Sequence, residues 1–334
     1  MERTARRTES SLPRPWAATR CLGLIAAGPA LAVVLGGAAV GLECRREDGR
    51  LVITDGVSGT AAVFTFADDA VGRPALRDLH APGGIRVTRP CPVRPGIDAD
   101  DHASMHPGVM LCFSDLSGAD PWRHKSAVRF GTLSEEPAAA DEGVRFAFTA
   151  DYLAEPQDSP AATVVCRERS TIAITDRLIG GAVVRVIDWD ARLEPAGSPV
   201  TFADVEEMGF GVRLLKELSP KWGGRYLASH GGRNEAGIFG TQADWCAAAG
   251  DVGGRRVGVT LIDRNDAARR SYFHARDYGW LLANPFGRRS YTKGESGAVT
   301  LRPGDAIELH FTVLVHGDVP EDALPGIVAA AQRR

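Results

Sequence analysis

The chain has 334 residues, 44% hydrophobic and 24% charged, which is ordinary globular composition with enough apolar material for a large core. Its formal net charge is -3, no Lys/Arg cluster falls inside the region patterned for folding, and aromatics make up a scattered 7%, so a nucleic-acid footprint or base-stacking platform is not expected. Six cysteines stand at long, irregular spacings without a C-x-x-C pair, which argues against a disulfide framework or structural zinc and for buried free thiols in a reducing compartment.

Residues 1–20 carry five Arg and two Glu, and residues 21–42 carry no charge. A basic stretch before an apolar run reads as a signal peptide or anchor. Pro29 and Gly36-Gly37 support the alternative, a hairpin joining strands at 31–35 and 38–44. The expected organisation is a disordered or targeting extension over 1–28, one β domain over 29–318 and a short helical tail over 319–334. A cytoplasmic location follows, with export the alternative if residues 1–41 act as a signal or anchor; no stable membrane span is expected.

Period-two alternation then dominates. Asp48-Gly49 separates apolar-patterned runs at 42–45 and 51–54. A polar, Pro/Gly-rich loop is expected over 73–101. Val144, Phe146, Phe148, Ala150 and Tyr152 alternate with polar or small residues, as do Ile187, Trp189, Ala191 and Leu193. Gly180-Gly181 predicts a tight hairpin between 171–178 and 182–193. A second long loop is expected over 231–250, and Gly253-Gly254 precedes a strand over 257–262. Ile307, Leu309, Phe311, Val313 and Val315 form the last alternating run, with His310 and His316 read as strand-surface residues, before a helical tail at 321–332. More than a dozen short strands joined by hairpins cannot bury their apolar faces in one flat sheet. The expected fold class is all-β, a large antiparallel two-sheet β-sandwich.

Three stretches carry chemistry. In Asp101-His102-Ala103-Ser104-Met105-His106-Pro107-Gly108 the two histidines are four apart, which places them on one side of either a helical turn or a strand. Asp101 is suited to steady a ring N–H. The motif fits metal ligation, acid–base work or hydrogen bonding to a polar substrate, and equally two loop histidines bonded to backbone. In His274-Ala275-Arg276-Asp277-Tyr278-Gly279, extended backbone puts His274 and Arg276 on one face and Asp277 on the other, a cationic hydrogen-bonding patch for carboxylates or hydroxyls. In Glu206-Glu207-Met208-Gly209-Phe210-Gly211-Val212-Arg213, adjacent acids point opposite ways, so at most one enters a given site; Glu207 is the candidate base and Arg213 its partner. Trp245 reads either as a sugar-stacking platform or as a core residue. G-x-S-x-G, H-E-x-x-H, phosphate-loop and dinucleotide patterns are all missing.

Taken in order, Arg73-Pro74, Leu79-His80-Ala81-Pro82-Gly83-Gly84, Asp101-His102 with His106-Pro107-Gly108, Asp115 to Lys125, Glu206-Glu207-Met208-Gly209, Asn234-Glu235, Asp244-Trp245-Cys246, His274 to Gly279 and Asn284-Pro285-Phe286-Gly287 resemble the bacterial PmoA-like family, often labelled "methane oxygenase PmoA", over residues 30–317. The label borrows the name of a membrane-embedded methane monooxygenase subunit, and this chain lacks the several long apolar spans such a subunit needs. The resemblance implies carbohydrate metabolism by association. It adds Arg73, His80 and Asn284 as substrate-binding candidates beside Arg213, Trp245, Arg276 and Asp277. Ala103, Ser104 and Met105 depart from the family's more histidine-rich pattern, which weakens a metal site.

The expected function is a carbohydrate-active enzyme, a lyase, isomerase or hydrolase, on a galactose-mutarotase-like supersandwich, with His102, His106, His274 and Glu207 as acid–base candidates. A metal-dependent enzyme using His102 and His106, and a non-catalytic carbohydrate-binding module, are the alternatives. The expected partner is a small-molecule or oligosaccharide ligand; the sequence assigns no metal, cofactor or oligomeric state.

Overall fold

The computed structural model of the chain describes residues 41–66, 72–140, 143–156, 159 and 162–333. The expected extension over 1–28, the strand at 31–35 and the start of 38–44 lie outside the described residues.

Two antiparallel sheets hold most of the strands. The nine-stranded sheet runs, edge to edge, Leu42–Glu47, Arg50–Asp55, Gly59–Thr65, Ala75–Arg77, Val109–Phe113, Met208–Arg213, Trp280–Asn284, Tyr272–Arg276 and Thr241–Gln242. The eight-stranded sheet runs Arg225–Ala228, Trp245–Val252, Arg255–Asp263, Ile307–His316, Ala182–Pro195, Val164–Ile179, Gly143–Leu153 and Val128–Ala140. Their facing sides share one core. The eight-stranded sheet contributes the alternating sets read from sequence, including Phe146, Phe148, Ile187, Trp189, Leu309 and Phe311; the other contributes Ile53, Phe64, Leu111, Phe210 and Leu281. Rings meet across the interface, with Phe64 4.9 Å from both Phe146 and Phe148 and Phe210 stacked on Phe311 at 4.7 Å. This is the all-β, two-sheet antiparallel sandwich that the alternation predicts: side chains of period two give each strand one apolar face, and two such faces close on each other.

Turn chemistry sets the register. Gly180 and Gly181 both have positive φ, 61° and 84°, and turn Val164–Ile179 back onto Ala182–Pro195 with 14 residues of each paired. Residues with side chains resist that conformation at two successive positions.

Part of the outer side of the eight-stranded sheet is covered. The helix Leu324–Gln332 lays Leu324, Ile327, Val328 and Ala331 on Val184, Val186, Trp245, Ile262 and Leu314. Trp245 is therefore core under this helix, on the far side of the sandwich from the second histidine motif, and is not a sugar platform. Three further expectations are corrected. The loop over 73–101 contains three short strands, and that over 231–250 contains the helix Asn234–Ile238 and most of the strand Trp245–Val252. His316 is buried, not on the surface, because Gly258 beside it has no side chain to occupy the space. Among the described residues no helix is long and apolar enough to cross a membrane.

Candidate functional site

The outer side of the nine-stranded sheet is different. Alternation that sends Met208, Phe210 and Val212 into the core leaves Gly209, Gly211 and Arg213 on the outer side. The same logic puts Trp280, Leu282 and Asn284 there from one neighbour and Tyr272, His274 and Arg276 from the next. In register, Arg213 and Arg276 both lie opposite Trp280. Gly211 is required by close approach: a Cβ there would sit 2.1 Å from the Trp280 indole, which lies across it.

A loop spanning the first motif covers part of this face. Arg89, buried, clamps the loop by donating to the carbonyls of Ala99, Asp101, His102 and His106. His102 takes a left-handed φ of 50° within the resulting turn. The two imidazoles stack at 5.1 Å and 18°. His106 continues the stack onto Trp280 at 4.2 Å and leans on Trp122 at 4.9 Å, while His102 lies 5.5 Å from Tyr278. His106 is only 2% exposed, and burial, reinforced by the charges of Arg213 and Arg89, holds its imidazole well below the usual histidine range. It is a neutral plate in an aromatic stack. His102 differs: its side chain is 43% exposed and its Nδ1 lies 3.4 Å from the Asp101 carboxylate. Arg213 donates to Asp101 at 2.9 Å. Burial pushes the Asp101 carboxyl up, but the hydrogen bond and charge of Arg213 outweigh it and hold the group below its ordinary range, as an anion. An ionised carboxylate thus steadies a solvent-reachable imidazole.

The second motif forms a neighbouring group. His274 is buried, and its Nε2 accepts a hydrogen bond from Arg276 Nε at 3.1 Å. Burial first, then the Arg276 charge, pulls its pKa to about 3. A guanidine N–H can only donate, so the neutral ring carries its proton on Nδ1. That nitrogen faces Tyr291 Oη at 3.3 Å, whose own proton goes to the Glu206 carbonyl at 2.6 Å. Arg276 lies over Phe239 at 4.3 Å, pairs with Glu235 at 2.8 Å and has Glu206, 43% exposed, at 3.7 Å. Glu235 and Asp277 lock together by each accepting the other's backbone N–H, at 3.0 and 2.9 Å.

The structure divides the sequence candidates. His102 and His106 form one group, His274 and Arg276 a second, and the Arg276–Trp280 pairing sets them side by side. Among the described residues no hydrogen bond or ring contact joins His274 to either of the others. Arg213 and Asn284 are fully buried and engaged. Arg213 holds Asp101, and Asn284 donates to the carbonyls of Val205 and Glu206 while accepting from Phe286 and Gly287. Arg73 is buried, donates to the carbonyls of Pro121 and Trp122, and lies over the Trp122 ring. All three lie buried beneath the site, where, among the described residues, Arg213 Nε and Nη1 and Arg73 Nε have no hydrogen-bond partner. Asp277 is occupied by Glu235. His80 bonds to the Asp78 carbonyl, and its own carbonyl accepts from Arg185, in a different part of the fold. Glu207 turns to Arg123, whereas Glu206, the residue before it, faces Arg276 and His274. Opposite pointing of adjacent acids was readable; which one entered was not. Trp280 and Tyr291 carried no motif of their own, and Glu235 and Tyr278 stood in motifs without a role assigned to them. Their places depend on strand register and on a loop folded over the sheet. A metal centre at His102 and His106 does not fit: lone pairs of stacked rings run parallel instead of meeting at a point, and no group of three His, Cys, Asp or Glu suited to an ion occurs among the described residues.

The chain is similar in structure to several solved proteins at low identity. A GH36 α-galactosidase, AgaA from Geobacillus stearothermophilus, is 12% identical with a TM-score of 0.32, covering 86% of this chain and 41% of that one. A GalM/aldose epimerase homologue from C. elegans is 9% identical with a TM-score of 0.30, covering 83% and 99%. A galactose mutarotase related enzyme from Lactobacillus acidophilus is 8% identical with a TM-score of 0.32, covering 82% and 97%. This chain spans less than half of the α-galactosidase. No curated protein matches it in sequence. The family that does match, over residues 56–325, is not the PmoA-like family its motifs resemble, and that assignment is corrected: the chain belongs to the family described as a family of unknown function, DUF6807.

Proposed function

We propose that the protein is a carbohydrate-active enzyme whose proton-transfer group is His102, steadied by Asp101. The observation that carries this reading is the contrast among the three histidines. His106 and His274 are buried and neutral, and the Nε2 lone pair of His274 is already taken by Arg276. Of these three, only His102 joins exposure to a carboxylate partner; the exposed His310, paired with Asp190, lies on the eight-stranded sheet, away from this group. The buried His106–Trp280 stack supports His102, and His102 with the part-exposed Tyr278 forms the aromatic edge available to a sugar ring. Arg276 and the half-exposed Glu206 supply a donor and an acceptor for hydroxyls. His274 is a positioning residue that orients Arg276.

The test is a turnover screen of free sugars, glycosides and oxidised glycosides with the wild type and His102→Ala. The expected result is turnover of at least one saccharide, falling about a hundredfold or more in the variant. Binding without turnover would favour a carbohydrate-binding module, and equal rates in both proteins would remove His102 from the chemistry.

A further inference from the structure

A cavity of about 460 Å³ opens beside the second histidine group, lined by Gln242, Arg269, Arg270, Tyr272, Arg288 and Ser296 among others, with no acidic side chain in its wall. That volume suits a sugar-sized ligand. Its connection to the site is direct. Tyr272 lies two residues before His274 on the same strand, and its ring stacks at 5.9 Å on Tyr291, whose hydroxyl faces His274. Two nearby acids each pair with one of the three cleft arginines, and a third is held by backbone. Asp244 pairs with Arg270 and Glu295 with Arg288, while Asp204 accepts the backbone N–H groups of Arg289, Ser290 and Gly297. Among the described residues no acid pairs with the Arg269 guanidinium, and the Nε of Arg270 is buried without a hydrogen-bond partner. Unsatisfied guanidinium donors in a cleft are matched by oxyanions, which accept two parallel N–H bonds.

We propose that this cleft is a subsite for the oxyanion group, carboxylate or sulfate ester, of an acidic saccharide whose neighbouring ring lies at the His102 and Arg276 groups. The assignment rests on the reading of the site as carbohydrate-active. Calorimetric titration of the full chain with digalacturonate, galactose 6-sulfate, neutral galactobiose and sodium sulfate tests it. The wild type is expected to bind at least one acidic sugar about tenfold or more tighter than galactobiose, with the preference shrinking as salt rises. The double variant Arg269→Ala/Arg288→Ala, at exposed and half-exposed positions, is expected to lose that preference and keep its melting temperature. Whichever acidic sugar binds tighter identifies the oxyanion. Equal affinity for acidic and neutral sugars, or an unchanged preference in the double variant, overturns the proposal. If no sugar binds, the carbohydrate reading fails by itself, and sodium sulfate decides the cleft: Arg-dependent sulfate binding retains an oxyanion site, and its absence removes it.

Discussion

His274 and His102 belong to motifs of similar appearance, yet their surroundings give them different work. The His274 ring is enclosed, its Nε2 accepts from Arg276, and its pKa lies at about 3. An unfolded histidine titrates near about 6.5, so between those values the unfolded chain holds a proton that the folded chain does not. The stability that the neutral buried ring contributes is therefore complete above about pH 6.5 and is lost as pH falls toward the folded value. Urea denaturation at a series of pH values checks this. Replacement His274→Gln should make stability fall less steeply between about pH 6 and pH 4, by up to about 1.4 kcal/mol per pH unit. An unchanged slope would show that the ring titrates alike in both states. At His102 the carboxylate of Asp101 and access to solvent remain, which is the combination that proton transfer to a bound molecule needs.

At the scale of elements, the strand Met208–Arg213 shows how one sequence serves two sides. Its even residues fill the core; of its odd residues, Gly209 and Gly211 leave room on the other side and Arg213 reaches out to Asp101. The space over Gly211 is where the Trp280 indole lies, and that indole carries His106, which in turn carries His102. Replacement Gly211→Ala should push the indole off the strand, costing about 1–3 kcal/mol of stability by overpacking and disturbing the stack above it. Near-ultraviolet circular dichroism and tryptophan fluorescence report both effects; native spectra with full stability would contradict the layered arrangement. The loop above is held separately, by the four carbonyl contacts of Arg89. Carbonyls are gathered there by one buried cation rather than by a strand ladder, and such a clamp leaves no periodic trace in the sequence.

At the scale of the whole sandwich, the two outer sides have opposite fates. One is sealed around Trp245 by the C-terminal helix, and the other bears the histidine, arginine and aromatic groups. The inward sets such as Val144 to Tyr152 were legible because a strand's period is short and local, and Gly180-Gly181 marked its hairpin for the same reason. The shared side of His274 and Arg276 was legible, since period two alone fixes it, but the register that sets Arg276 opposite Trp280 was not. The choice of Glu206 over Glu207, the burial of Arg213 and Asn284, and the displacement of Trp245 to the far sheet depend on contacts between distant segments, which spacing along the chain does not encode. In the proposed function His102 moves a proton and His274 positions Arg276. Steady-state kinetics of His102→Gln beside His274→Gln, on the saccharide the screen identifies, test this most directly. The predicted result is a kcat about a hundredfold lower with KM little changed for His102→Gln, and a raised KM with the smaller loss in kcat for His274→Gln. A collapse of kcat in His274→Gln with His102→Gln near wild type would contradict it.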